Sequence, residues 1–362
     1  MLLDPARPWD LRPIGEDESP PAEPVVWPRV CVVVPARNES AYVPRTLPAL
    51  LAQDYPGEWR VVLVNDRSED GTAAVAQGVA ETDERLTVVS GAQLPDGWAG
   101  KIWALAQGAR EAGEADYLLL TDADIRHAPG SLRRLVAESE AAALALNSRM
   151  ARLRCRSAGE RLLVPPFLFF FNLLYPMRRV NDESTPHAAA AGGCILLRRD
   201  ALERAGGFES IRAAIIDDVS LARRIKGLDE RIRLALSRAD VESTREHGLG
   251  SIWRMVRRTA FDELGYSWSR LVVTVLGLAL LFALPPVLVA VGLVLMSWPW
   301  SLALAGVGLL AWASMTAAFL PAVRFFSLNG TWAWALPLAG ILYGGMTLDS
   351  ARRHLLGRRD AW

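Results

Sequence analysis

The chain has 362 residues, with 40 lysines and arginines balanced by 40 aspartates and glutamates. This length allows one large domain plus additional elements, and the balanced charge lacks the basic excess that nucleic-acid binding requires, so we expect no nucleic-acid partner. The hydrophobic fraction of 51% is only slightly above that of ordinary globular domains, and the excess lies near the C-terminus.

The beginning of the chain and its cysteines indicate a reducing compartment. Residues 1–29 are rich in proline and charge and lack the apolar segment of a signal peptide, which predicts a flexible lead-in. Cys31, Cys155 and Cys194 are far apart, so neither a zinc site nor a disulfide framework is indicated. A cytosolic setting fits these cysteines.

Strand and helix patterns alternate through the first third of the chain. Strands are predicted at 30–36, 60–66, 85–91 and 116–124, and helices at 45–53, 72–80, 100–112 and 130–143. This alternation predicts an α/β fold, with a doubly wound, mainly parallel sheet and helices on both faces, over residues 30–260. Polar clusters follow three of the strands, where ligands bind in such sheets.

Two carboxylates close the fourth predicted strand. Asp122 and Asp124 have the i, i+2 spacing that puts both side chains on the same side of a strand. Their hard oxygens suit Mg²⁺ or Mn²⁺, which can hold a diphosphate and neutralise its charge. The alternative is that Asp124 merely caps the following helix.

A basic residue and two glycines open the predicted third helix. Lys101 follows Gly97 and Gly100, where free backbone N–H groups and a cation would both favour a phosphate. Lys101 is therefore a candidate for binding a diphosphate group. The alternative is a solvated lysine at a helix start.

An apolar stretch at 161–177 is interrupted by Pro165, Pro166 and Asn172 and is followed by Arg178 and Arg179. It is too short to span a bilayer comfortably, so we predict an interfacial or re-entrant segment over 161–179. The alternative is a core helix of the soluble domain.

The C-terminal region predicts about three transmembrane helices. Apolar runs at 271–296, 300–322 and 331–348 lie within a transmembrane region at 261–350, followed by a basic tail at 351–362. The alternative, buried helices of a soluble domain, would need nearly eighty residues without a polar face. Three spans would put the basic tail outside, against the positive-inside tendency. Either one run does not cross, and Pro285-Pro286 makes the first run the suspect, or the tail is an exception to this tendency.

Four motifs in order resemble the family 2 glycosyltransferases with a GT-A fold. These motifs are VVVPARNES, VVLVNDRSEDGT, LLLTDAD, and GGCILLRRDALERAGGF followed by IIDDVSLARRI. The resemblance covers roughly residues 30–260. The GWAGKIWAL segment, the phenylalanine-rich stretch and the apolar C-terminus are most similar to the hopanoid-biosynthesis-associated branch.

The resemblance implies a role for each matching residue. Pro35, Arg37, Asn38 and Glu39 would line the nucleotide pocket, Asp66 would bind the base, and Asp122 and Lys101 would complete the donor site. The family usually has two acidic residues where this chain has Asn65-Asp66, so Asp66 alone inherits the role. Without the family, residues 65–68 would be interpreted as a turn.

The later motifs supply the predicted catalytic and acceptor residues. Asp217 and Asp218 match the family's acidic pair, with Asp218 as the general base and a helix N-cap as the alternative. Gly192, Gly193 and Cys194 resemble the acceptor-side loop, where glycines permit close backbone approach.

One motif of processive members is missing. The region that corresponds to Gln-x-x-Arg-Trp reads SIWRMVRRTAF, in which Arg254, Arg257 and Arg258 are candidates for a diphosphate or, alternatively, a basic topology signal. We therefore predict inverting, metal-dependent, non-processive transfer of a sugar from a UDP- or GDP-sugar to a lipid acceptor. The expected location is the bacterial-type inner (cytoplasmic) membrane, with the catalytic domain cytoplasmic. The alternatives are a processive polysaccharide synthase and a catalytically silent membrane scaffold.

Overall fold

The computed structural model describes residues 5–11, 21–296 and 298–357. Parts of the predicted lead-in (1–4 and 12–20) and of the predicted basic tail (358–362) lie outside these residues. The described chain divides into two compact units. We call residues 21–154 and 177–245 the sheet unit, and residues 5–11, 155–176 and 246–357 the helical unit.

The strands of the described chain all belong to the sheet unit. In chain order they are β1 (Val30–Ala36), β2 (Trp59–Asn65), β3 (Leu86–Ser90), β4 (Tyr117–Thr121), β5 (Ile125–His127), β6 (Leu146–Met150), β7 (Cys194–Arg198), β8 (Ile232–Leu236) and β9 (Val241–Ser243). A seven-stranded sheet has the order β3-β2-β1-β4-β7-β6-β8 within these residues, and β5 pairs with β9 in a separate antiparallel ladder. β7 runs antiparallel to both of its neighbours, and the other neighbouring pairs are parallel.

The central strands form because of apolar, β-branched sequences. All seven residues of β1 are buried, as expected for an inner strand of a parallel sheet. β1 and β2 are in register, so that Ala36 lies opposite Asn65 and the loops after the two strands start at the same edge. The predicted α/β fold with a mainly parallel sheet is confirmed.

Helices of the sheet unit follow the strands. They are α1 (Val43–Leu51), α2 (Thr72–Ala80), α3 (Gly100–Glu111), α4 (Ser131–Ala142), α6 (Met177–Val180), α7 (Arg199–Arg204) and α8 (Asp217–Lys226). α3 packs closely on the sheet because Gly108 has no side chain: a Cβ there would lie 2.4 Å from a methyl carbon of Val33. This close approach positions the N-terminus of α3 at the sheet edge.

The helical unit contains α5 (Ala158–Leu174), α9 (Leu249–Glu263), α10 (Trp268–Leu278), α11 (Leu284–Val294), α12 (Ser301–Phe325) and α13 (Leu336–Leu355). α5 is a continuous helix despite Pro165 and Pro166, and it begins with a capping box between Ser157 and Glu160. Leu163 and Phe169 of α5 are buried within this unit. Residues 161–176 of the segment predicted at 161–179 therefore cluster with the C-terminal helices, whereas 177–179 belong to the sheet unit, and the interfacial location stays a prediction.

Two helical segments are long and apolar enough to cross a membrane, by length and composition, among the residues that the structure covers. They are Trp268–Val294 and Ser301–Phe325, with 11% and 22% of their most apolar windows buried. A π-helical turn at Ala279–Ala283 precedes Pro285-Pro286, so the helix continues through the prolines. Of the three predicted runs, 331–348 is the one that does not qualify.

Candidate active site

Asp122 and Asp124 lie where β4 ends, as predicted. β4 is buried throughout, and Thr46 donates a hydrogen bond of 2.7 Å to the carbonyl of Ala123, which fixes the chain between the two carboxylates. β5 begins directly after Asp124, and α4 does not begin until Ser131, seven residues after Asp124, with Gly130 as its N-cap. The alternative that Asp124 caps the following helix is therefore wrong.

Lys101 joins the first carboxylate to the predicted catalytic pair. Its Nζ lies 2.8 Å from Oδ1 of Asp122 and 3.3 Å from Oδ2 of Asp217. Burial opposes the charge of Lys101, but the two carboxylates outweigh it and raise the pKa of this side chain. Lys101 is therefore an ion-paired residue of the site and not a solvated lysine.

Asp217 and Asp218 occupy the first turn of α8, and neither is its N-cap, which is Ile216. The two carboxylate oxygens of Asp218 accept hydrogen bonds of 2.8 Å from the backbone N–H groups of Gly192 and Val219. Burial and the neighbouring Asp217 raise the pKa of Asp218 to about 7. Asp218 is therefore held in a fixed orientation and titrates near neutrality.

The loop before β7 lies directly against these groups. A Cβ on Gly192 would be 3.1 Å from Nζ of Lys101 and 3.3 Å from Oδ2 of Asp218, so a side chain there would crowd the site. Gly193 packs on Ile125. Cys194 is fully buried, so only the two glycines have the placement expected of an acceptor-side loop.

Lys226, at the C-terminal end of α8, binds the segment 180–187, which precedes the loop before β7. Its Nζ lies 2.7 Å from the carbonyl oxygen of Val180, 2.9 Å from that of Asp182 and 2.8 Å from that of His187. Since Gly192 is bound to Asp218 at the N-terminal end, the same segment is attached to both ends of this helix.

Arg245 is a site residue that sequence reasoning missed. Its Nε lies 2.8 Å from Oδ2 of Asp124, and its Nη2 lies 2.5 and 2.7 Å from the two oxygens of Glu39. The guanidinium also lies over the ring of Tyr42, 4.6 Å from its centroid. Polar residues after a short strand at the same sheet edge were the available signal, but no motif marked this position.

Glu39 therefore belongs to the acidic site as well as to the loop after β1. Its burial, together with repulsion from Asp124 and Asp122, raises the pKa of Glu39 to about 7, although Arg245 opposes the shift. Its backbone N–H donates to Oγ1 of Thr72 at 2.8 Å. The loops after β1 and β2 are thus joined at Glu39.

Asp66, which follows β2, is buried, with 1% of its surface exposed. Oδ2 of Asp66 is 3.4 Å from Arg37, and Oδ1 has no hydrogen-bond partner within the described part of the chain, although Nε of Arg67 is 3.8 Å away. Such a buried, unsatisfied acceptor is costly unless a ligand donates to it. The Asn65 side chain accepts from the Ser68 N–H, as the turn interpretation predicts.

Asn38 contacts the loop after β2, and Pro35 lies beside Lys101 and Asp122. Asn38 has a positive φ of 57° and accepts a hydrogen bond of 2.9 Å from the Glu69 N–H, which joins the two loops a second time. Pro35 lines a small cavity together with Lys101 and Asp122. The predicted nucleotide-pocket residues therefore lie at one edge of the sheet with the acidic residues.

The donor set at the sheet edge fits a divalent cation held jointly with a diphosphate. No three Asp, Glu, His or Cys side chains converge as a complete metal cage among the residues described. However, only one carboxylate oxygen of Asp122 contacts Lys101, and only one of Asp124 contacts Arg245. The other oxygen of each carboxylate has no partner within those residues. Mg²⁺ sites in phosphate enzymes typically combine one or two such carboxylates with substrate phosphates.

The three arginines predicted as diphosphate candidates lie on α9, in the helical unit. Arg254 and Arg258 are exposed, and Arg257 lies 3.7 Å from Asp349 of α13. Their role in binding a diphosphate stays a prediction.

The fold is similar to that of a solved glycosyltransferase. A mannosyltransferase from Pyrobaculum calidifontis was solved in complex with GDP-mannose and Mn²⁺. Its superposition on this structure covers 98% of this chain and 93% of the mannosyltransferase chain, with a TM-score of 0.57 and 22% sequence identity. At this identity the likeness shows the fold. It agrees with the GT-A fold that the motifs predicted.

Sequence comparison identifies the domain. Residues 31–206, just under half of the chain, match the glycosyl transferase family 2. A β-monoglucosyldiacylglycerol synthase of Synechocystis sp. is 32% identical over 126 residues, which are 33% of this chain and 26% of the relative. A probable glycosyltransferase, YdaM, of Bacillus subtilis is 25% identical over 213 residues, 57% of this chain and 48% of the relative. The chain thus spans less than half the length of these curated relatives.

Proposed function

We propose that the protein is an inverting, non-processive glycosyltransferase that moves one sugar from a UDP- or GDP-sugar to a membrane lipid. The observation that carries this proposal is the gathering of Asp122, Asp124, Asp217 and Asp218 around Lys101 and Arg245 at the carboxyl edge of the sheet. This edge is where open α/β sheets bind their ligands.

The donor would bind with its nucleobase near Asp66 and its diphosphate near the small cavity that Lys101 and Asp122 line. The unsatisfied Oδ1 of Asp66 fits an N–H group of the nucleobase, with Arg37 alongside. Lys101 would bind the diphosphate at the start of α3, where helix N–H groups also favour anions. Asp122 and Asp124 would hold Mg²⁺ or Mn²⁺, which when bound neutralises charge on the departing diphosphate.

Asp218 is the proposed general base. It takes the proton of the acceptor hydroxyl while that oxygen forms a bond to the anomeric carbon and the bond from this carbon to the diphosphate breaks on the opposite face. The backbone N–H groups of Gly192 and Val219 orient its oxygens, and its pKa near 7 matches this task. Gly192 and Gly193 leave room beside it for the acceptor.

The proposed acceptor is a lipid, in the hopanoid or polyprenyl-phosphate class, at the cytoplasmic face of the inner membrane. Two apolar helices and the similarity to a protein named β-monoglucosyldiacylglycerol synthase support a membrane acceptor. Two crossings would return the chain to the side it left, so Arg352 and Arg353 of α13 would share the side of the sheet unit. This arrangement satisfies the positive-inside tendency that three spans would violate.

The test is sugar transfer by full-length protein in lipid nanodiscs, supplied with Mn²⁺ and a panel of radiolabelled UDP- and GDP-sugars. We expect a single-sugar lipid product, lost in Asp124→Ala and kept in Glu242→Gln, which alters an exposed carboxylate paired with Arg126 on the neighbouring ladder. Undiminished turnover by Asp124→Ala with the metal chelated would refute the mechanism. A polymeric product would indicate a processive synthase, and the absence of donor binding by calorimetry would indicate a scaffold.

A further inference from the structure

Arg245 bridges two parts of the site that are far apart in sequence. Asp124 follows β4 and Glu39 follows β1, yet one guanidinium contacts both carboxylates. Ser243 and Thr244, the residues just before Arg245, also bond to Asp124, one to its side chain at 3.2 Å and the other to its carbonyl at 2.8 Å. The segment after β9 is therefore built around Asp124.

We call the carboxylates that meet at this edge of the sheet the acidic cluster: Glu39, Asp122, Asp124, Asp217 and Asp218. Among the residues that the structure describes, Lys101 and Arg245 are the only cations paired with it. Lys101 serves Asp122 and Asp217, and Arg245 serves the other half of the cluster. A guanidinium 2.8 Å from one oxygen of Asp124 repels any divalent cation that approaches the other oxygen of that carboxylate. A metal arriving alone therefore meets a site whose charge is already partly balanced.

Glu39 connects this guanidinium to the nucleotide side of the site. The Glu39 N–H is bound to Thr72, and the next N–H, of Ser40, donates to Oδ2 of Asp70 at 3.0 Å. Thr72 and Asp70 belong to the loop that follows Asp66. Arg245 thus has one carboxylate partner on the proposed metal side and one on the proposed nucleotide side.

We infer that Arg245 couples metal binding to donor binding. In the free protein it is the counter-ion of Asp124 and Glu39, and a divalent cation binds tightly only together with a nucleoside diphosphate, whose phosphate oxygens offer Arg245 another anionic partner. The inference rests on the proposed function because it needs the metal and the diphosphate in this site. It assigns a positioning role that the motifs do not include.

The test is Mn²⁺ binding, followed by electron paramagnetic resonance, to full-length protein with MnCl₂ alone and with MnCl₂ plus UDP or GDP. Arg245→Met removes the counter-ion, so we expect Mn²⁺ alone to bind about tenfold or more tighter, and the gain from added nucleotide to shrink by a similar factor. Arg245→Lys keeps the charge but loses the planar group that reaches both Asp124 and Glu39, so its affinity for Mn²⁺ alone should lie between those of the wild type and of Arg245→Met.

Arg126→Met is the matched control, since Arg126 also pairs with a carboxylate across the β5–β9 ladder, but on an exposed face. It should leave both Mn²⁺ affinities unchanged. Nucleotide-dependent binding in the wild type, with no tightening in Arg245→Met, would overturn this inference alone. Absence of Mn²⁺ binding from every protein form, even with nucleotide, would overturn the metal site of the proposed function as well.

Discussion

The sheet unit and the helical unit handle apolar side chains in opposite ways. In the sheet unit, the large exposed hydrophobic residues among those described are Val25, Val26 and Leu228. In the helical unit they are numerous, and they crowd the two long helices. Because water-soluble surfaces rarely expose large apolar patches, this contrast supports the membrane location proposed for the two long helices.

Charged groups show the reverse distribution. The sheet unit buries Asp66, Asp124, Glu138 and Arg149, whereas the long helices Trp268–Val294 and Ser301–Phe325 are almost free of charge. A buried charge is stable only when it is paired or hydrogen-bonded, and in the sheet unit Asp124 is paired with Arg245 at the candidate site, while Glu138 is paired with Arg149 away from it. Substitutions of the same kind should therefore have different effects in the two units.

The largest expected effect is that of Asp218→Asn in the sheet unit. Removing a general base should lower kcat by about 10²–10⁴-fold. Glu209→Gln, at an exposed carboxylate paired with Arg110, should have no such effect. The measurement is single-turnover transfer, with the thermal midpoint checked because the amide cannot accept both backbone hydrogen bonds. Full activity in Asp218→Asn would assign the base elsewhere.

In the helical unit, a charge on the exposed apolar surface should prevent stable insertion. Leu310 is 70% exposed on α12, and an arginine near the centre of a membrane helix costs about 3 kcal/mol. Leu310→Arg should therefore move protein out of the alkali-resistant membrane fraction. Val26→Arg, at a similarly exposed residue of the sheet unit, should change nothing. Equal membrane retention of both variants would contradict the membrane assignment.

The pH dependence of the sheet unit follows from the raised pKa of Asp218. The base acts as a carboxylate, so kcat/KM should fall about tenfold per pH unit below pH 7 and level off above it. The sign follows because protonation through a pKa of about 7 removes the reactive form. The check is a pH profile of wild-type kcat/KM, and a flat profile from pH 5 to 8 would contradict the assignment.

A smaller effect is expected where α3 meets the sheet. In Gly108→Ala the new methyl would overlap Val33, and we expect a loss of about 1 kcal/mol because overpacking exceeds the gain in helix propensity. Val33→Ala should offset this loss in a double-mutant cycle of thermal stability. Gly78→Ala on α2, which has open space around it, should stabilise instead. Equal effects of the two alanines would contradict the packing argument.

Much of the sheet unit could be predicted from the sequence because its signals are local. The apolar run of β4 followed by Asp122 and Asp124 fixed the position of both carboxylates, and the glycines before Lys101 indicated its helix start. Arg245 could not be predicted in this way. Its partners are Asp124, 121 residues away, and Glu39, 206 residues away, so only the folded ladder of β5 and β9 brings them together.

In the helical unit, apolar composition alone does not show which runs cross a membrane. Residues 331–348 were also predicted as a span. In α13 the side chains of Leu336, Tyr343 and Met346 are buried. The side chains of Leu338, Ile341 and Leu348 are exposed. Composition cannot distinguish burial in protein from burial in lipid. Pro285-Pro286 was also an unreliable stop signal, since the π-helical turn before it accommodates the missing N–H groups.

The two attachments of α8 have a mechanical consequence. Gly192 is bound at the end that carries Asp218, and His187 is bound through Lys226 at the other end. The helix and this stretch of chain are therefore joined at two points. A ligand that displaced the stretch would break the hydrogen bond from Gly192 that orients Asp218, the proposed base.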